Sequence, residues 1–202
     1  MSLEKLHNQI GGIDIYLLDA ILKDHFQKDV VILDAGCGSG RNLKWFYNNN
    51  YNVYGVDANA SSIDITKKKY SRLSNNFSVQ NLDVLNFEDN YFDHVICCAV
   101  LHFAQNTSHF INMFSELVRV LKTKGTLFIR MTNLEGIELY ATHIADGVYR
   151  LPDNTNRFLI SQDLLTKVCT DYNLQLSAPF KSVNVSNQRS MATIMLTKQP
   201  LC

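Results

Sequence analysis

From about residue 30 onward, short β-branched runs alternate with segments of helical period. That alternation is the pattern of a parallel sheet with helices packed between and over its strands. Strands are expected at VVILD (Val30 to Asp34), NVYGVD (Asn52 to Asp57), FSVQNLD (Phe77 to Asp83), FDHVICCA (Phe92 to Ala99) and GTLFIRMT (Gly125 to Thr132). These runs are apolar at nearly every position, as expected for strands covered on both faces. A helix is expected over Ile13 to Phe26, before the first strand. Ser61 and Asp64 have capping-box spacing ahead of Ile63, Tyr70 and Leu73 on one face. Phe110, Phe114, Leu117 and Leu121 repeat at helical spacing before KTKG, and Ser161 caps a segment carrying Leu164, Leu165, Val168 and Tyr172.

Two stretches break the alternation. Between Asn133 and Ile160, VYRL and RFLI flank PDNTN and read as a β-hairpin with a turn-rich tip. At the end of the chain, Phe180 to Val185 and Ser190 to Lys198 are joined by SNQR alone. So short a link forces an antiparallel pair, because a parallel crossover needs a dozen or so residues. The expected organisation is one domain over 1–202, with 1–29 as an N-terminal helical cap and 133–160 as an inserted segment on the substrate side.

Composition narrows the setting. The chain has 202 residues, 46% of them hydrophobic and 19% charged, with a formal net charge of zero. A neutral balance builds in no pull toward nucleic acid or an anionic membrane. The basic run Lys67 to Lys69 reads as a solvated helix face. The first residues lack a charged-then-apolar signal pattern and no apolar run approaches membrane-spanning length, so a cytoplasmic protein is expected. Of five cysteines, Cys97 and Cys98 are adjacent in an apolar run and read as small hydrophobes. No Cys or His pair has zinc-ligand spacing, so no metal is expected.

The loop after the first strand carries the chemistry. Gly36, Gly38 and Gly40 in DAGCGSG give G-x-G-x-G, and Arg41 stands where a dinucleotide loop needs its third glycine. Asp34 precedes the loop; its charge is awkward beside a pyrophosphate and suits a ligand with an ammonium group. Asp57 ends the second strand, where a carboxylate accepts both ribose hydroxyls, and Asp83 is expected to end the third, within reach of an adenine amino group. Three carboxylates at adjacent strand ends point to a phosphate-free, positively charged adenosine compound. Each alone would read as a strand-end turn former.

DAGCGSG, GVDAN, NLDVLNF, FDHVICCAVLHF and LKTKGTLFI together resemble the class I S-adenosylmethionine-dependent methyltransferases, over about Val30 to Thr132 and in the family's order. LKTKG departs from the family's usual Lys-Pro-Gly-Gly turn at Thr123 and Lys124. The resemblance implies a Rossmann-like α/β fold with a seven-stranded, mainly parallel sheet, an antiparallel last strand and helices on both faces. It implies that the Gly36 to Gly40 loop, Cys37 included, seats the methionine and ribose parts of S-adenosylmethionine. Asp34 and the Ala99 carbonyl would lie near the ammonium, Asp57 and Ala58 at the ribose, and Asp83 with the Val84 backbone at adenine. Arg41 and Asn42, the GRN after the loop, also occur in tellurite-resistance-type methyltransferases; Arg41 would reach either the cofactor carboxylate or an anionic group of the acceptor. The N-terminal IDIYLLDAILK and the terminal QRSMATIMLTK are similar to a bacterial subset in which the N-terminal helix would close over the cofactor, with Tyr16 either a cofactor contact or a core-edge aromatic, the latter preferred.

Methyl transfer from a sulfonium is an in-line displacement, so the protein mainly aligns the nucleophile and excludes water. His102, after the fourth strand, is the candidate base or substrate contact, and His143 in the insertion is a second. The other four histidines are assigned no chemistry. The Asn-Pro-Pro-Tyr-like motif of amino-methylating DNA and glutamine enzymes is missing, as is a Pro-Cys nucleophile for cytosine, which leaves a small-molecule acceptor. Five of seven arginines (Arg41, Arg130, Arg150, Arg157 and Arg189) map to the cofactor edge. Arginine clamps carboxylates and phosphates, so an anionic substrate held by Arg130, Arg157 and Arg189 is expected; internal salt bridges are the alternative. A non-enzymatic S-adenosylmethionine-binding sensor or partner subunit is the second reading, and a nicotinamide oxidoreductase the third.

Overall fold

The structure, a computed structural model, describes residues 2–27 and 29–200. Along the chain lie α1 (Leu3–Ile10), α2 (Ile15–Leu22), β1 (Val31–Ala35), α3 (Lys44–Asn48), β2 (Asn52–Asp57), α4 (Ala60–Lys69) and β3 (Phe77–Val79). Then follow β4 (Phe92–Cys98), α5 (Thr107–Val120), β5 (Leu121–Thr132), β6 (Thr142–Ala145), β7 (Val148–Arg150) and β8 (Asn156–Phe158). The chain closes with α6 (Gln162–Asp171), β9 (Leu174–Leu176), β10 (Lys181–Val185) and β11 (Arg189–Lys198).

The main sheet runs β10-β11-β5-β4-β1-β2-β3, with β9 also paired to β11. β1 pairs in parallel with β2 and β4, β2 with β3, and β4 with β5. β11 runs antiparallel to β5, β9 and β10. Alternate strand residues enter opposite layers. Leu33, Val95, Cys97 and Ile129 pack with Phe110, Phe114 and Leu117 of α5 and Leu165 of α6. Ile32, Ile96, Cys98 and Phe128 pack with Leu17 of α2, Phe46 of α3 and Ile63 of α4. Burial on both faces is why these strands read as unbroken apolar runs. No helix among the described residues is long and apolar enough to cross a membrane.

Several boundaries differ from the sequence reading, each for a local reason. The helix expected over Ile13 to Phe26 is α2, shorter at both ends and capped by Asp14, which accepts from the Tyr16 and Leu17 N–H groups; a further helix, α1, precedes it and is set off by Gly11 and Gly12. No residue of α1 is buried, so its sequence carries no strong apolar signal. α4 is capped by Asn59, whose side chain accepts from the Ser62 N–H at 3.0 Å, and Ser61 and Asp64 lie inside the helix. β5 absorbs KTKG as a bulge: Lys124 has φ of +66° and the register shifts between Phe92 and His94. β3 stops at Val79 because it pairs with Gly55 to Asp57, and its partner β2 ends there. Asp83 therefore sits in a turn beyond the strand. Arg189 opens β11 instead of lying in the link.

The segment 133–160 forms a three-stranded antiparallel sheet, β6-β7-β8, one strand more than a hairpin. All four β6 residues are exposed, so no alternation marked it. Its anchor is Phe158, fully buried and stacked on Phe110 at 4.9 Å between ring centres. Thr132 Oγ1 donates to the Phe158 carbonyl at 2.9 Å, closing the sheet onto the end of β5. Phe158→Ala is expected to lower stability by about 3–5 kcal/mol in urea denaturation, with amide exchange rising most in 133–160.

Candidate active site

The turn from β1 toward α3 is built against β2. Gly36 and Cys37 both donate their N–H groups to the Val56 carbonyl, at 2.8 and 2.9 Å. Gly38 N–H donates to Asp57 Oδ2 at 2.8 Å, and the Thr66 and Tyr70 hydroxyls donate to the Gly38 and Gly40 carbonyls. Gly36 and Gly40 have φ of +82° and +77°, and added Cβ atoms would meet Val100 at 2.2 Å and the Tyr70 ring at 2.5 Å. Neither position accepts a side chain. Around Gly38 the space is open. Arg41 lies in the turn before α3, exposed, with Nη1 3.5 Å from the Gly12 carbonyl. Asn42 is buried, and its Oδ1 accepts the Asp14 N–H at 3.0 Å, tying the N-terminal segment to the loop.

At the C-terminal edge of the parallel strands lies a cavity of about 510 Å³. Gly36, Asp57, Ala58, Asp83 and Ala99 of the sequence-derived set line it. Ala99 is held with φ of +62° and donates its N–H to the Arg130 carbonyl at 2.7 Å. Val84 is not part of the lining: its side chain is exposed and its N–H is directed to the Asn81 carbonyl at 3.3 Å. Gln80, Asn81, Val100, Phe103, His109 and Met113 also line the cavity. His109 was assigned no chemistry because it reads as an ordinary first-turn helix residue; only the docking of α5 brings it to the wall. Gln80 and Asn81 were hidden inside a strand expected to run on to Asp83.

Asp34 is 1% exposed, and neither carboxyl oxygen has a hydrogen-bond partner among the described residues. Burial raises its pKa to about 7, opposed by the charge of Arg41 and reinforced by Asp57. Burial likewise pushes the Cys37 thiol far up, with the Asp34 and Asp57 charges adding to it, so this cysteine is an inert wall residue.

The expected substrate residues separate into three situations. Arg130 is buried and fully engaged: Nη1 donates to Thr193 Oγ1 at 2.9 Å, Nε lies 3.4 Å from Asp14 Oδ2, and the guanidinium sits 4.4 Å over the Tyr16 ring. It ties α2 to the sheet. Arg189 pairs with Asp153 at 2.9 Å. Arg157 lies 4.9 Å over the exposed Phe103 ring and has no ion pair among the described residues. His102 is buried on the Leu101–Phe103 turn with Nδ1 unpartnered; burial, then the Arg157 and Arg189 charges, lowers its pKa to about 4. His143 is exposed on β6 against Tyr149 and does not line the cavity.

Residues 33–129 match the methyltransferase domain family. The ubiquinone biosynthesis O-methyltransferase of Rickettsia bellii is 32% identical over 123 residues, which are 58% of this chain and 49% of that one. A solved S-adenosylmethionine-dependent methyltransferase of Methanosarcina mazei aligns with a TM-score of 0.74 at 22% identity, over 90% of this chain and 98% of the other. Magnesium protoporphyrin IX methyltransferase of Synechocystis, solved with S-adenosylhomocysteine bound, aligns with a TM-score of 0.69 at 18% identity, over 92% and 81%. The chain spans about half the length of the curated relatives it matches. Its fold is the Rossmann-like fold of those solved S-adenosylmethionine-dependent methyltransferases, and residues 33–129 are the part that is similar to the methyltransferase domain.

Two measurements test these local contacts. Gly40→Ala is expected to cost at least about 1–2 kcal/mol in urea melts, since it combines left-handed strain with loss of the Tyr70 contact. His102 is neutral in the folded state down to about pH 4, against an ordinary value of 6.5. Its contribution to stability is therefore complete above about pH 6.5 and is lost as the pH falls toward about 4. His102→Gln should flatten that part of a plot of urea midpoint against pH.

Proposed function

We propose that the protein transfers a methyl group from S-adenosylmethionine to a small anionic molecule. The observation that carries this reading is Asp34, a buried carboxyl with no partner immediately ahead of a glycine loop whose backbone faces open space at Gly38. A pyrophosphate brings no donor to this carboxyl and opposes its ionisation, whereas a ligand with an ammonium group supplies what the carboxyl lacks. The residues present suit S-adenosylmethionine in other ways too. Asp57 keeps its carboxylate at the cavity wall while bracing Gly38, Asp83 and Gln80 offer polar groups for adenine, and the cavity volume matches a nucleoside-sized ligand.

When bound, the cofactor supplies an activated methyl group on sulfur. This chain's residues orient it, exclude water and hold the acceptor. Arg157 is the cation best placed to hold an anionic acceptor, because Arg130 and Arg189 already have carboxylate partners. Phe103, exposed at the cavity wall beneath Arg157, offers a flat face to a planar acceptor. His102 is neutral around pH 7, but a pKa of about 4 makes it a weak base, and it does not line the cavity. It supports the wall behind Phe103 rather than taking the acceptor's proton. Residues 1–29 form the cap over the loop side, and 133–160 the acceptor side.

Calorimetric titration with S-adenosylhomocysteine and with NAD tests the cofactor assignment. Binding of the first alone is expected, weakened at least about tenfold by Asp57→Ala; tight NAD binding would overturn it. A methyl-transfer screen over small acids, phenols, thiols and metalloid oxyanions then tests the acceptor. Arg157→Met should raise KM for acidic acceptors about tenfold or more with kcat less affected. Equal KM values in the two proteins would remove the anionic assignment, and no transfer at all would favour a binding protein.

A further inference from the structure

Asp34 sits in the middle of the sheet, paired with Gly55 of β2 on one side and Ile96 of β4 on the other. The groups that face it can be named from every element packed around it. They are Cys37 and Arg41 from the loop, Asp57 from β2, Tyr70 at the end of α4, and Cys97 and Cys98 from β4. None donates a hydrogen bond to it. The Tyr70 hydroxyl is committed to the Gly40 carbonyl, and the buried thiols are weak donors held neutral. Arg41 is the lone cation of the group, and it is exposed, with Nη1 directed to Gly12. Other aspartates of the fold are treated differently: Asp57 accepts from two backbone N–H groups, Asp14 from two and from Arg130, and Asp93 from Val31 N–H and Lys122.

An ionised carboxylate without donors or a counter-ion is strongly disfavoured in a buried position. We infer that Asp34 selects the cofactor by exchanging its own proton for the cofactor's ammonium group. The inference rests on the methyltransferase reading above and goes beyond it, since it assigns a proton to the ligand-free site. The balance is simple. Protonated Asp34 releases H⁺ to solvent as the –NH₃⁺ group arrives at the Gly36 and Ala99 end of the cavity, a carboxylate–ammonium pair forms, and no covalent bond of the cofactor changes. Asp34 does not itself line the cavity, and direct contact is not needed, because attraction to a buried charge acts beyond contact distance. The raised pKa of Asp34, about 7, places the exchange in the physiological range.

The exchange has a sign. Below about pH 7 the ligand-free site holds the proton, so binding of an ammonium-bearing nucleoside releases up to one proton and weakens as the pH falls. Well above that pH, Asp34 is already ionised and no proton is released. An adenosine compound lacking the ammonium group, such as 5′-methylthioadenosine, gains nothing from the pair and leaves the proton in place.

Calorimetry in two buffers of different ionisation enthalpy reads the proton directly. For S-adenosylhomocysteine the expected result is release approaching one proton at about pH 6, falling toward none at about pH 8.5, with affinity dropping up to about tenfold per pH unit in the acid limb. With 5′-methylthioadenosine no proton should be released and affinity should not follow pH. Asp34→Asn, an isostere of the protonated acid, should abolish proton release and the pH dependence for S-adenosylhomocysteine. Its binding of 5′-methylthioadenosine shows that the pocket still folds. Proton-free, pH-independent binding of S-adenosylhomocysteine by the unaltered protein at about pH 6 would overturn the inference, as would proton release persisting in Asp34→Asn. Failure of both nucleosides to bind would instead overturn the methyltransferase reading itself.

Discussion

The Val56 carbonyl accepts hydrogen bonds from two amides, those of Gly36 and Cys37, and the shape of the site follows from that pair. It bends the chain off the end of β1 so that the loop lies across the edge of β2. There the next residue, Asp57, reaches back to the Gly38 N–H. The register Asp34 to Gly55 makes this possible, and Gly55 itself is needed for close approach: a Cβ there would lie 3.0 Å from both Cys37 Sγ and the Phe77 ring. A slip of one residue would exchange the two faces of β2 and carry the Asp57 carboxylate away from the loop.

Charge at the site is distributed by what each group can find nearby. Arg130, the most deeply placed arginine at this edge, serves architecture: Asp14, Thr193 and the Tyr16 ring consume its guanidinium and hold α2 against the sheet. Arg157, placed on a short strand of the insertion, has no ion pair among the described residues; it lies over the Phe103 ring and donates to the Asn156 carbonyl. His102 between the arginines is kept neutral, while Asp34 beneath the loop is kept protonated up to about neutral pH. The same low-dielectric packing that stabilises the sheet thus leaves a proton where a cationic ligand is expected.

The glycine loop, Asp57 and the five central strands were legible because each carries a local signature: left-handed turns need glycine, and two-sided burial needs a continuous apolar run. The antiparallel end was legible from the length of one link. β6 was not, since all its side chains are exposed and its partners lie elsewhere in the chain. Asp83 was found as a cavity residue, yet its place in a turn depended on where β2 runs out of backbone to pair with. Arg130 and Arg157 had the same reading in the sequence, and nothing local distinguishes the one that meets Asp14 from the one that does not.

Residue order alone was enough to indicate the kind of sheet and the glycine loop, because those depend on backbone conformation and on neighbours a few positions apart. Which arginine is spent, which histidine lines the wall and whether Asp34 finds a donor depended on contacts between distant segments. Asp14 and Arg130 stand 116 positions apart, and their meeting follows from the packing of α2 on the sheet. GRN after the loop shows the division most clearly: its asparagine turned out to hold Asp14 of the N-terminal segment, a partner 28 positions away that no local rule would select.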